Sequence, residues 1–138
     1  MPRTYERGFT LIELLLVLVI AGLVATVAVP SFLKARDAAD SAVAVGRLRA
    51  MHTDQSMYRI QNSRYARLSE LNAFANNAHG KTVGSTLRHR DFIFLMFPNP
   101  TDQSLRRNYN IIAYRVREAR VISQYDMGED GQIATVLP

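Results

Sequence analysis

Cysteine is absent from the 138 residues. That excludes a disulfide framework, a thiolate nucleophile and any cysteine-ligated metal. The C-terminal tail must then be held by strand pairing, a metal or contacts between subunits. Histidine is sparse: His52, His79 and His89 are scattered, and none has a spaced partner. His52 is expected on a helix, facing solvent or a subunit contact. Serines and aspartates occur in no recognised nucleophile setting, so no enzyme is expected. There is no internal repeat and no low-complexity tract. Asn99-Pro100-Thr101 has the spacing of an N-glycosylation acceptor, but its proline disqualifies it. The only lysines are Lys34 and Lys81, so arginine supplies most of a formal charge of +5. Such a charge permits contact with DNA or an anionic surface. The last absence is local: from Leu14 to Leu33 no residue is charged. A helix of that length, at about 1.5 Å per residue, measures roughly 30 Å, the thickness of a bilayer core.

Directly before this run stands Gly8-Phe9-Thr10-Leu11-Ile12-Glu13, and before that a polar leader with Arg3 and Arg7. A secretory signal places its small-residue cleavage site after the apolar core. Here the glycine precedes the core. Cleavage after Gly8 would remove the leader alone, keep the apolar helix and expose a new α-amino group on Phe9. Glu13 lies just inside the apolar segment, where an unpartnered charge costs about 2.5–3.5 kcal/mol or more at the membrane centre. In a bundle of parallel, staggered helices, the amine on Phe9 of an adjacent copy is its natural partner. The other reading of Glu13 is a carboxylate solvated at the lipid interface. Arg3, Arg7 and the starting amine outweigh Lys34 and Arg36, which Asp37 and Asp40 offset. The positive-inside rule thus puts the leader in the cytosol and the C-terminal domain outside the inner membrane.

These residues, Gly8, Phe9 and Glu13 with Thr10, Leu11 and Ile12 between them, resemble the class III leader of type IV pilins and type II secretion pseudopilins. The resemblance is strongest over residues 7–60. It implies cleavage after Gly8 by a prepilin peptidase, which also methylates Phe9, and a role for Glu13 in subunit assembly. It implies a homo-oligomeric helical filament, an inner-membrane platform protein, an assembly ATPase, and residence in the membrane before assembly. Many pilins close a C-terminal loop with a disulfide, and this chain departs from that pattern.

The expected organisation is a leader over 1–8, a membrane-spanning or filament-core helix over 9–33, its amphipathic continuation over 34–62, and a globular head over 63–138. The first helix is expected from about Phe9 to about Gln61. Gly22 lowers helix propensity there, and Pro30 removes a backbone hydrogen bond and kinks the chain. By resemblance, Gly22 and Pro30 mark a stretch that loses helical order on packing into a filament; a simply kinked membrane helix is the alternative. From Lys34 onward, Ala38, Ala42, Val45, Leu48, Met51 and Tyr58 form an apolar stripe, with Arg36, Asp40, Arg47 and Asp54 mostly off it. A break is expected at Asn62–Ser63 and a short helix over Leu68–Asn72; the segment from Tyr58 to Leu71 resembles one found after the long helix of many short pilins and of the major pseudopilin. Residues 73–88 read as a loop. Strands are expected over Asp91–Phe97, Tyr109–Val116, Arg120–Tyr125 and Gln132–Leu137, with a turn at Asp126–Gly131. The fold class is therefore α+β: a long N-terminal helix on a small antiparallel sheet of three or four strands, pilin-like.

Two further sites are candidates. Asp126, Asp130 and Gly131 match three places of an EF-hand loop, but Gly128 and Leu137 occupy places that need oxygen ligands. A β-turn is the plain reading. Because major pseudopilins can hold calcium in a C-terminal loop, Asp126 and Asp130 stay as candidate calcium ligands, and no other cofactor is expected. Arg106, Arg107, Tyr109, Tyr114, Arg115, Arg117 and Arg120 combine arginine with aromatic residues, a pairing able to bind DNA; strand alternation puts Arg115 and Arg117 on an exposed face. The leading expectation is a type IV pilus subunit serving adhesion, twitching motility or DNA uptake, at the cell surface once assembled. The alternatives are a type II secretion pseudopilin in a periplasmic pseudopilus, and a monomeric membrane-anchored binding protein.

Overall fold

The computed structural model describes residues 9–137. Gly8 and the rest of the leader lie outside the described residues. A single long helix, α1, runs over Leu11–Asn62 and passes through Gly22 and Pro30 without interruption. The chain divides into two compact units, Met1–Ala38 and Ala39–Pro138.

In the described part of the first unit the side chains have almost nothing to pack on. Leu11 is 83% exposed and Val27 75% exposed. A helix this apolar cannot remain in water, because each buried apolar side chain is worth about 1.5–3 kcal/mol. Among the described residues, α1 is the one helix long and apolar enough to cross a membrane.

In the second unit the C-terminal half of α1 supplies one layer and a sheet the other. Among the described residues there are six strands: β1 Lys81–Val83, β2 Thr86–His89, β3 Phe92–Met96, β4 Asn110–Arg117, β5 Arg120–Gly128 and β6 Ile133–Leu137. They form an antiparallel meander in chain order. Two short helices complete it, α2 (Leu68–Phe74) and α3 (Asp102–Leu105). Leu87, Phe94, Ala113 and Tyr125 form one cross-strand row on the core face, and Met96, Ile111, Met127 and Ile133 form the next. They pack with Ala44, Leu48 and Met51 of α1 and with Leu68 and Leu71 of α2.

The sequence reading is corrected at several points. Residues 73–88 are not all loop. Leu87 is fully buried, and Val83 pairs with Thr86 around Gly84, whose φ of 59° suits the first position of a tight hairpin turn. The short, polar β1 gave no periodic signal. Asp126 to Gly128 continue β5 instead of turning, because Asp126 to Met127 pair on both sides. The apolar stripe of α1 is also rotated. Ala38 and Ala42 are exposed, whereas Asp40 and Gln55 are buried with Ala44, Leu48 and Met51. An alanine-rich helix leaves its apolar face ambiguous, and specific polar partners set the rotation. The helix ends where expected: Ser63 takes φ of 57°, a left-handed stop, and its N–H reaches the Arg59 carbonyl at 2.8 Å.

Candidate functional site

At its N-terminus, α1 is closed by its own first residues. Thr10 stands just before the helix and Glu13 three positions on. The Glu13 N–H donates to Thr10 Oγ1 at 3.2 Å, and Glu13 Oε2 accepts from the Thr10 N–H and from its hydroxyl, both at 3.1 Å. This is a reciprocal capping box, which satisfies backbone donors that a helix start leaves free. The negative charge also meets the positive end of the helix dipole. Phe9 stands beside it, 81% exposed. The T-x-x-E spacing of Thr10 and Glu13 is the sequence signal of this cap, a role the apolar-segment reading of Glu13 does not include. The cap gives the carboxylate local hydrogen bonds, and among the described residues Glu13 makes no ion pair.

Gly22 and Pro30 lie within the same helix. A Cβ built on Gly22 meets nothing within 4 Å, so no contact among the described residues requires glycine there.

Further along, α1 carries polar groups on both flanks of its buried stripe. On one flank, Asp40 accepts from Arg90 Nη1 at 2.7 Å, Arg47 donates to the Ala78 carbonyl, and Asp54 Oδ2 meets His79 Nε2 at 2.7 Å. His79 is 2% exposed, and burial drives its pKa below the usual histidine range against the pull of Asp54. On the other flank, His52 Nδ1 meets the Tyr109 hydroxyl at 2.8 Å, and Arg59 donates to the Tyr65 hydroxyl at 2.7 Å. The two tyrosine rings stack edge to face, 4.7 Å apart. Burial raises the Tyr109 pKa, keeping the phenol neutral. His52 is therefore half-buried and bonded, not solvent-facing. Asp40, Arg47 and Asp54, read from sequence as off the stripe, are the links between α1 and the chain beyond it.

Gln55, fully buried, donates from Nε2 to the Ala66 carbonyl and accepts from the Ala66 N–H, both at 2.8 Å. After it, Arg64 grips Glu70 through two bonds of 2.9 and 2.7 Å, and Glu70 also accepts from the Arg67 N–H. These cations and donors hold the Glu70 carboxyl down to about 2.

The arginine–tyrosine group does not assemble into one surface. Tyr109 faces the core, and Arg115 is 5% exposed, its guanidinium 5.4 Å over the Phe92 ring and bonded to Ser123 Oγ. This corrects the expected exposed face: Arg115 shares a side with Ile111 and Ala113, which point into the core. Arg106, Arg107, Arg117 and Arg120 are exposed, and Tyr114 is half-buried on the opposite sheet face. At the other candidate site, Asp126 accepts from the Gln124 side chain at 3.1 Å, and Asp130 Oδ1 from the Gln132 N–H at 3.0 Å. Among the described residues, no group of three or more metal-capable His, Asp or Glu side chains converges.

Residues 3–29 match the family described as the prokaryotic N-terminal methylation motif. The chain is 40% identical over 65 residues to the type II secretion system core protein G of Klebsiella michiganensis, covering 47% of this chain and 46% of that protein. It is 34% identical over 83 residues to the type IV major pilin protein PilA of Myxococcus xanthus, covering 58% of this chain and 38% of that protein. The core protein G of Escherichia coli is 37% identical over 60 residues, or 44% of this chain and 41% of that protein. Each match spans less than half the length of the relative. The fold is thus pilin-like, with a methylation-motif N-terminus on a long helix packed on an antiparallel sheet. The particular relatives are type IV pilin and type II secretion core protein G.

Proposed function

We propose that this chain is a structural, non-enzymatic subunit that is cleaved after Gly8, methylated on Phe9, and assembled through α1 into a helical filament. The observation that carries this reading is the start of α1: a capped carboxylate, Glu13, at the head of an apolar helix whose side chains are left exposed. Lipid covers that helix first, and neighbouring helices cover it after assembly. The free N-terminal amine of Phe9 on an adjacent copy supplies a cation to Glu13, so docking replaces a locally hydrogen-bonded carboxylate with an ion pair in an apolar medium. Gly22 and Pro30 are the positions where the helix yields on packing. The head lies outside the inner membrane. A prepilin peptidase, a membrane platform protein and a cytosolic ATPase are the partners this requires.

The main reading is a type IV pilus subunit. The similarity to core protein G favours a second: a pseudopilin whose filament stays in the periplasm. Mass spectrometry of N-terminal peptides from filaments sheared off intact cells separates them. A peptide starting at methylated Phe9 in the sheared fraction supports the pilus. The same peptide confined to membranes supports the pseudopilin. An intact leader through Gly8 on the membrane-resident protein overturns both.

A further inference from the structure

Two corners of the sheet carry charge that the other described residues leave without an ion pair. At one edge, Lys81 of β1 stands directly opposite Arg88 of β2. Both point away from the core, because their neighbours Thr82 and Leu87 face it: Leu87 is buried, and Thr82 Oγ1 accepts from buried Asn72. Directly opposed like charges weaken a strand pair. Among the described residues, neither side chain has an ion-pair partner. Arg90, two positions on, is already engaged with Asp40. At the other edge, the turn between β5 and β6 presents exposed Glu129 and Asp130. Asp130 accepts only the Gln132 N–H, and neither carboxylate makes an ion pair among the described residues.

These corners are diagonal. Strand order places β1 and β6 at opposite edges. Register places them at opposite ends: Lys81 and Arg88 share a row with Ile93, Tyr114, Gln124 and Leu137, whereas Glu129 and Asp130 lie beyond the row of Met127 and Ile133. Helix α1 runs beside both: the basic corner is tied through Arg90 to Asp40 and through His79 to Asp54, and the acidic turn packs Gly131 against the ring of His52.

We propose that these corners meet between copies: the Lys81–Arg88 corner of one subunit docks on the Glu129–Asp130 turn of the next. The proposal rests on the filament reading above. The two surfaces differ, so the contact is heterologous and runs head to tail, which gives an open helix where its rotation does not close on itself. A second copy is favoured over a phosphate-bearing surface because one chain carries both halves of the match, two cations and two carboxylates. A phosphate surface would leave the acidic turn unanswered.

The test uses the full-length chain in cells that assemble it. Lys81→Glu with Arg88→Glu is expected to lower the filament fraction at least tenfold, as is Glu129→Lys with Asp130→Lys. All four changes in one chain restore assembly to within threefold of wild type. Because the chain has no cysteine, Arg88→Cys with Asp130→Cys gives a second readout under mild oxidation: a ladder of cross-linked multimers, with no ladder from either change alone. Wild-type assembly by either charge-reversed corner overturns the proposal. So does loss at the basic corner alone, which points to an anionic surface, and so does the absence of a ladder from a double-cysteine chain that assembles. Failure of the wild-type chain to assemble overturns the filament reading instead.

Discussion

Replacing Gln55 isolates the bond that fastens the end of α1 to the rest of the head. Its side chain bonds both backbone groups of Ala66, each at 2.8 Å, and both residues are fully buried. Gln55→Met keeps nearly the same shape but strands a buried N–H and a buried carbonyl. An unsatisfied buried group costs about 1–3 kcal/mol, so the expected loss for two is roughly 2–6 kcal/mol. Gln55→Ala adds a cavity and should lose more. Gln55→Glu keeps the acceptor, loses the donor and buries a charge, so it too should be markedly destabilised. The measurement is urea unfolding of the full chain in detergent, followed by tyrosine circular dichroism, since there is no tryptophan. A Gln55→Met chain that unfolds within about 0.5 kcal/mol of wild type would refute the reasoning, because it would mean the Ala66 groups find other partners without cost.

Other consequences follow from the same contacts. Glu13→Ala should leave the membrane fraction of the protein unchanged and abolish filaments, whereas Thr10→Val should weaken the helix start by about 1 kcal/mol and leave filaments measurable in sheared fractions. The hairpin turn between Arg117 and Arg120 holds Glu118 and Ala119 at φ of 51° and 61°, both left-handed; Glu118→Asn with Ala119→Gly should raise stability by about 1 kcal/mol in the same urea assay. Gly131→Ala should cost at least about 1 kcal/mol from its φ of 72°, and its Cβ would stand 2.8 Å from His52 Nε2, loosening the Tyr109 bond. Stability should also fall with acid in two stages. His79 has a lowered pKa when folded, so its contribution is complete above about 6.5 and fades as pH drops below that. Glu70 contributes fully above about 4.5 and loses its part as pH falls through about 2. Melting temperatures at stepped pH, compared with His79→Gln and Glu70→Gln, would show each stage missing in its own variant.

Sequence alone determined the features that depend on near neighbours along the chain. The uncharged run from Leu14 to Leu33, with glycine before it and Glu13 just ahead of it, defines the N-terminal motif because such a motif is written along one linear segment. The end of α1 near Ser63, the short α2 and most of β3, β4 and β5 were legible from turn residues and alternation. What needed the tertiary structure was each choice that a distant partner makes. Arg115 is buried because strand pairing sets it over Phe92 and beside Ser123. The face of α1 is decided by Arg90, His79 and Ala66, which meet Asp40, Asp54 and Gln55 from far along the chain. Strand β1 exists because β2 is there to pair with it, and the diagonal charge of the sheet appears only when six strands are laid side by side. Periodicity records which residues share a face of one element, but not which groups on another element will satisfy a buried charge. That assignment rests on non-local hydrogen bonds, and it is made when the chain folds.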